Sequence, residues 1–298
     1  MRGSFIPPAP IRELRELTRY RKTLVRERGQ ETQRLQQLLE TANLKLSAVA
    51  TNVLGASGRA MLAALLGGEE DPAVLAELAR GKLRAKLPAL RQALEGRVRP
   101  YHRVLLGELL GHIAYLDEAI ARLHDEIERH LAPLAEATAL LQTIPGVSAT
   151  AAAAIVAESG VDMTRFPSHR HLASWAGVCP GNRQSGGKRL SGTPTKGNVW
   201  LRAVLGEVAW AASRTRDTYL RAQFERLARR RGRKKAVVAV GHTILVISYH
   251  LLRTGQSYAE RGADYFDTLD TTRITHHHVQ RLSQLGYEGT IIPKEEAA

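Results

Sequence analysis

"LQTIPGVSATAAAAIVAESG", residues 141–160, sets Pro145, Gly146 and Ser148 directly before a run of alanines. Alanine is the strongest helix former, and an alanine-rich helix lets another backbone come close. Gly146 suits a left-handed turn, Pro145 stiffens the entry and Ser148 is a good N-cap. The pattern predicts two helices flanking a tight glycine turn. The amides of Val147, Ser148, Ala149 and Thr150 are then expected to point outward, and a helix start with open amides favours anions. Gly146, Val147, Ser148 and Ala149 are therefore candidate nucleic-acid contacts.

The rest of the composition agrees with a helical protein. Aromatic residues make up 5% of the 298 residues and hydrophobic residues 44%, which disfavours a β-sandwich and allows a buried core. The net charge of +14 favours a phosphate-bearing partner, nucleic acid first and an acidic membrane surface second. A single cysteine, Cys179, excludes an internal disulfide and a thiolate zinc cluster, and fits the cytoplasm. The opening MRGSFIPPAP has no apolar signal core.

Upstream of the quoted stretch the pattern is one of long helices. Leu14, Leu17, Leu24, Leu35 and Leu38 fall on a heptad frame, interrupted where Arg21, Arg28 and Glu31 reach the same seam. Leu109, Ile113, Leu116, Ile120, Leu123 and Ile127 alternate four and three apart, so the two stretches are expected to pair as an antiparallel hairpin or to self-associate. Between them GGEEDP (67–72), Pro88 and Pro100 break the chain into shorter helices.

Downstream of Pro133 glycine, alanine and arginine dominate. A short helix is expected at 169–175, ended by Gly177 and Pro180, and Asn198 is expected to cap a helix burying Leu201, Leu205, Val208 and Ala212. Between them, residues 181–197 form a loop or β-hairpin with five glycines and Arg183, Lys188, Arg189 and Lys196. From Arg183 to Lys235 there are 15 Lys and Arg against three acids, Glu207, Asp217 and Glu225. This lopsided stretch marks phosphate contacts, with Arg202 among them. Residues 236–252 are apolar but short and carry Gly241, His242, Ser248 and His250, so a buried helix is expected rather than a membrane span. In the tail, Asp264, Asp267 and Asp270 share a helical face and His276 to His278 are consecutive; no metal site is expected there.

Ser185 lies in RQSGGKR, between Arg183 and two glycines. A serine that attacks a DNA phosphate needs cations around the phosphate oxygens and little steric bulk, and this loop supplies both. A serine that only donates a hydrogen bond to phosphate fits equally well. No Asp or Glu occurs between Arg165 and Leu205, so the loop has no general base. A tyrosine recombinase built on His242 and Tyr249 lacks the necessary set of basic residues.

The ordered motifs TIPGVSATAAAAIVAESG, RFPSHRHLASWAGVCPGNRQSGGKR and TKGNVWLRAVLGEVAWAASR resemble the C-terminal transposase domain of the DEDD-type, Piv-like transposases of the insertion sequence one-hundred-ten family. The resemblance covers roughly residues 135–255 and extends to the tail ERGADYFDTLD. It implies a recombinase guided by a noncoding bridge RNA, with a serine nucleophile at Ser185; Ser191 is the alternate. It also implies an N-terminal RuvC-like domain with four metal-binding acids. That domain has no counterpart before RGSFIPPAPIRELRELTRYRKTLVRERGQ, which resembles the stretch following it, so the chain reads as an N-terminally truncated copy. Mg²⁺ is expected only with the complete protein, and no cofactor bound by this chain.

The expected architecture is mainly α: a linker at 1–10, an elongated coiled-coil helical region at 11–133, a compact transposase domain with a helix-hairpin-helix-like element at 134–260, and a tail at 261–298. The expected partners are DNA, a guide RNA and, through the coiled-coil region, further copies of the chain, with no membrane. The competing reading is a noncatalytic helix-hairpin-helix protein that only holds nucleic acid.

Overall fold

The computed structural model describes residues 7–179, 181, 183–191, 196–269 and 271–288, and only the backbone at 183, 184, 189–191, 273, 274 and 277. The described chain is mainly α. It divides into two compact units, one spanning Glu16–Arg129 and the other formed by the first fifteen residues together with those from His130 onward.

The Glu16–Arg129 unit is built on two long helices, α1 (Ala9–Thr41) and α6 (Pro100–Leu131), whose first and last turns respectively belong to the other unit. Leu24 packs with Leu116 and Ala119, with Ile120 and Leu123 alongside. The apolar seam of α6 is therefore filled by α1 of the same chain, antiparallel to it. Two of the charges that interrupt the α1 seam, Arg28 and Glu31, are paired, whereas Arg21 Nε is buried without a hydrogen-bond partner among the described residues. Arg28 binds Asp117, which also accepts from Arg59 Nη2 at 2.9 Å, and buried Glu31 pairs with Arg34 and lies 3.6 Å from His112 Nδ1. Burial alone raises the Asp117 carboxyl, but the two arginines outweigh it and hold the group below its ordinary value.

Short helices fill the interval, as its prolines and glycines predict. These are α2 (Leu46–Val49), α3 (Ala56–Leu66), α4 (Pro72–Glu77) and α5 (Leu87–Ala93). Asp71 caps α4, accepting from Ala73 N at 2.8 Å with Pro72 in the first turn. Leu62, Met61, Leu65, Leu75 and Leu90 form a core with Leu35 of α1 and Ile113 of α6.

The second unit contains the glycine- and arginine-rich half. Its elements are α7 (Ala135–Gln142), α8 (Ala149–Ser159), α9 (His169–Ala176), strands β1 (Arg183–Ser185) and β2 (Lys188–Ser191), α10 (Val199–Ala212), α11 (Tyr219–Arg231), α12 (Arg233–Thr254), α13 (Tyr265–Thr268) and α14 (Thr271–Gln284). Helix α12 is long and apolar enough to cross a membrane by length and composition. It is the central helix of this unit, packed by α7, α9, α10 and α11, with Val240, Ile244, Leu245 and Tyr249 buried.

The quoted stretch folds as α7, a tight turn and α8. Gly146 has φ +88°, the left-handed conformation expected of it, and Ser148 Oγ caps α8 by accepting from Ala151 N at 3.3 Å. The small residues serve the interior: Ala152, Ala153 and Ala157 are buried, and the turn lies against the last turns of α10. A Cβ on Gly146 would stand 2.5 Å from Ala212 N and 2.9 Å from Val208 O.

Gly146→Ala therefore combines a left-handed backbone with a clash against main chain that has no room to give. A loss of stability on the order of 3 kcal/mol is expected, measurable as a lower midpoint in urea unfolding. The same substitution at Gly206, where a Cβ meets nothing within 4 Å, should leave that midpoint unchanged or raise it.

Candidate functional site

The site is a two-stranded ribbon in the segment between α9 and α10. Strands β1 and β2 are antiparallel, with Ser185 opposite Lys188, Gln184 opposite Arg189 and Arg183 opposite Ser191, and a register irregularity between Arg183 and Gln184. Gly186 and Gly187 join them with φ +56° and +77°. Two consecutive positive φ values define a type I′ hairpin turn, which matches the twist of the strands. The glycines that sequence reasoning assigned to phosphate access are thus also required by the turn itself.

Ser185 sits at the tip of the ribbon, exposed, as does Lys188. Its hydroxyl has no hydrogen-bond partner among the described residues. The side chains of Arg183, Arg189 and the alternate Ser191 lie outside the described residues, although their backbones form the strands.

The foot of the ribbon is clamped. Gly177 ends α9 in the left-handed conformation with φ +70° and ψ 32°, and Gly197 is pressed onto it. A Cβ on Gly197 would be 2.4 Å from Gly177 N. Next to Gly197, Asn198 Oδ1 caps α10, accepting from Trp200 N at 3.0 Å and Leu201 N at 3.1 Å. The other end of the same amide donates from Nδ2 to Glu158 Oε2 at 2.6 Å. Glu158 is 2% exposed. Arg15 completes the assembly: its Nε donates to Ala157 O at 3.0 Å and its Nη2 to Glu158 O at 2.8 Å, with Nε 3.5 Å from Glu158 Oε2. The guanidinium thereby covers the last carbonyls of α8 and faces the carboxylate.

Sequence reasoning missed Glu158 and Arg15. A signal for the first was present, because an acid in the last turn of an otherwise apolar helix opposes the helix dipole and calls for a specific partner. Nothing local marks Arg15, which is 143 positions away in the chain.

Lys196 and Arg202 are exposed. Arg202 borders a recess of about 90 Å³ shared by Gly177 and Val178 at the ribbon foot, Leu205 and Gly206 of α10, and Val237, Val238 and Gly241 of α12. The structure brings Arg202 to the ribbon foot but does not bring the turn at 145–149 there. That turn packs on Val208 and Ala212 towards the far end of α10, six to ten residues past Arg202, so the two predicted phosphate contacts stand about 9 to 15 Å apart along the helix axis. The amide of Val147 is also taken, donating to Ile144 O at 3.0 Å, contrary to the expectation that it points outward. Ser148, Ala149 and Thr150 remain exposed.

The histidines have structural surroundings. Tyr249 is 1% exposed; its hydroxyl donates to Phe166 O at 3.2 Å and accepts from Arg253 Nη1 at 3.1 Å, which removes it as a nucleophile. His169 lies beside His250, with ring centroids 5.3 Å apart and planes tilted by 46°. Burial, and then the neighbouring His169, lower the pKa of His242, and the same causes followed by Arg253 lower that of His250. Among the described residues no group of three or more His, Cys, Asp or Glu is placed to hold a metal ion. The face formed by Asp264, Asp267 and Asp270 and by His276 to His278 lies partly outside the described residues.

Residues 138–225, from α7 into α11, match the family model described as "Transposase IS116/IS110/IS902 family". That segment of the chain is similar to this transposase family. A Sinorhizobium fredii (strain NBRC 101917 / NGR234) protein named as a transposase, y4pF/y4sB, is 31% identical over 162 residues, covering 51% of this chain and 38% of that protein. The chain thus matches well under half the length of this relative. Within the transposase match lie the ribbon, its clamp and the α7–α8 turn.

Two outcomes are expected for the transposase scaffold. Glu158→Ala leaves Arg15 and the Asn198 amide without their shared partner and should cost about 3 kcal/mol, read by chemical denaturation. The pH dependence follows from the histidines. A folded-state pKa below the usual 6.5 means that the unfolded chain takes up protons first, so stability is full above about pH 6.5 and falls as pH drops below it. Melting curves between about pH 8 and pH 5 should show this fall, and His242→Gln with His250→Gln should flatten it.

Proposed function

We propose that this chain is the serine-bearing recombinase part of an insertion-sequence transposase, which breaks and joins DNA by phosphoryl transfer at Ser185. The observation that carries this reading is the ribbon tip. A serine with an unengaged hydroxyl is held out on a stiff hairpin opposite Lys188, inside the segment matched to the transposase family. In the proposed step Ser185 Oγ bonds to a backbone phosphorus and the bridging P–O bond to one strand breaks. The hydroxyl proton passes to a base, and the departing strand oxygen takes up a proton. Lys188, Lys196 and the ribbon arginines supply positive charge for the phosphate oxygens.

The proton acceptor is not part of the ribbon, since no Asp or Glu occurs between Arg165 and Leu205. The family resemblance assigns that role to a carboxylate-bearing RuvC-like domain with Mg²⁺. The described residues of this chain offer no ligand set for the ion. In this reading the α7–α8 pair acts as a helix-hairpin-helix element, with Arg202 as a phosphate anchor beside the ribbon foot and the exposed start of α8 as a second anchor farther along α10. Arg202 and Ala212, against which the turn is packed, are about 15 Å apart along the helix, which matches about four nucleotide steps of duplex at 3.4 Å each. A guide RNA and further copies of the chain are additional proposed partners, although the α6 seam that motivates self-association is already filled by α1.

The test is a covalent protein–DNA adduct detected by denaturing electrophoresis. The chain supplemented with a family RuvC-like domain and Mg²⁺ should form it, and the chain alone should form little, because a serine hydroxyl is a weak nucleophile without an activating base or metal. Ser185→Ala should abolish the adduct and change DNA binding by only about 1 kcal/mol. Adduct and binding falling together would make Ser185 a phosphate ligand. An adduct lost only with Ser191→Ala would move the nucleophile there, and one that survives both would end the serine mechanism.

A further inference from the structure

The junction between α11 and α12 reads RRRGRKK, residues 229–235, and places six cations in seven positions. All six are exposed, and none forms an ion pair with an acid among the described residues. No Asp or Glu occurs between Glu225 and Glu260. The junction lies beyond the segment matched to the transposase family, which ends at residue 225, and it takes no part in the ribbon or its clamp.

Folding accounts for only half of these charges. Arg229, Arg230 and Arg231 occupy the last turn of α11, where cations complement the negative end of the helix dipole. Arg233, Lys234 and Lys235 occupy the first turn of α12, which has no acid and no side-chain cap. Cations there oppose the positive end of a 22-residue helix, and they also repel the three arginines just before them. Nothing within the described chain compensates this arrangement, so an external polyanion is the partner it suits.

The chemistry of the junction narrows that partner. No aromatic residue occurs between Phe224 and Tyr249, so the junction offers no ring on which an unpaired base could stack, the usual platform of single-strand and RNA binders. It offers dense charge and forked guanidinium donors, which match the regular phosphates of a duplex. It also adjoins the ribbon. Val237 and Val238, in the turn of α12 that follows Lys235, line the same recess as Arg202 and the ribbon foot at Gly177 and Val178.

We propose that the α11–α12 junction is a contact surface for the phosphate backbone of duplex DNA, separate from the Ser185 ribbon and continuous with it across this recess. The proposal rests on the reading of the chain as a DNA-acting transposase, but not on Ser185 being a nucleophile.

The test measures binding of the full chain to a labelled duplex of arbitrary sequence over a range of salt concentrations. Each phosphate contact contributes a slope of about 0.9 in log affinity against log salt. The triple variant Arg233→Gln, Lys234→Gln, Lys235→Gln should lower the slope by about 2 to 3 and weaken binding at least tenfold at low salt. Its melting temperature should hold or rise, since the removed charges oppose their own helix. A control with the same loss of charge in the other unit, Arg80→Gln, Lys82→Gln, Arg97→Gln, should keep the parent slope. Lys188→Gln with Lys196→Gln reports on the ribbon independently.

If the ribbon variant loses affinity and the junction variant does not, the proposal is overturned and the transposase reading stands. A control that loses as much as the junction variant reduces the effect to diffuse charge and overturns it as well. A lower melting temperature in the junction variant would make the cations structural. Losses confined to single-stranded DNA or to RNA would overturn the duplex assignment, and a parent chain that binds no nucleic acid would overturn both readings.

Discussion

Glu158 is the point on which the C-terminal unit turns. A carboxylate buried to 2% exposure is tolerated only with hydrogen bonds and an opposite charge, and here Asn198 and Arg15 supply them. Arg15 reaches it from the first turns of α1, the chain of α8 carries it, and Asn198 donates to it while capping α10. One side chain thereby ties together the end of α8, the start of α10 and the first turns of α1. Gly197, the residue before Asn198, is in turn pressed against Gly177 at the end of α9. An acid that takes no part in the proposed chemistry thus holds the start of the helix that follows the ribbon.

Much of this was legible in the sequence wherever the signal was local. Gly146 in a left-handed turn, Ser148 and Asn198 as caps, Gly177 as the end of α9 and the breaks between α2 and α5 all follow from the conformational demands of a few adjacent residues. The buried nature of α12 was readable from its length and its polar interruptions. The anion-binding reading of the α7–α8 turn was less complete. Its geometry was expected, but its small residues serve contact with α10, and a residue list does not reveal which backbone will occupy the space that glycine and alanine leave.

The parts that were not legible depend on contacts between distant segments. Arg15 and Glu158 meet across 143 positions, and a charge on an apolar seam reads locally as a defect. Arg28 and Glu31 make the same point in the other unit, where Asp117, Arg34 and His112 turn apparent interruptions into paired groups. The separation of the α7–α8 turn from the ribbon was hidden for a related reason. Both are basic or amide-rich and both precede helices, and only the fold reveals that they hold opposite ends of α10.

That arrangement makes α10 a ruler. Gly146 is wedged against its last turn and the ribbon is clamped at its first, so neither end can slip to absorb a change in the helix. One residue added within it would lengthen it by about 1.5 Å and rotate its ends by about 100° against each other, pointing the ribbon away from any DNA held at the turn. Seven added residues, nearly two full turns, would restore the phase at a span about 10 Å greater. Length variation among relatives should therefore accumulate in the loops around α10, while the number of residues between Asn198 and Ala212 stays fixed.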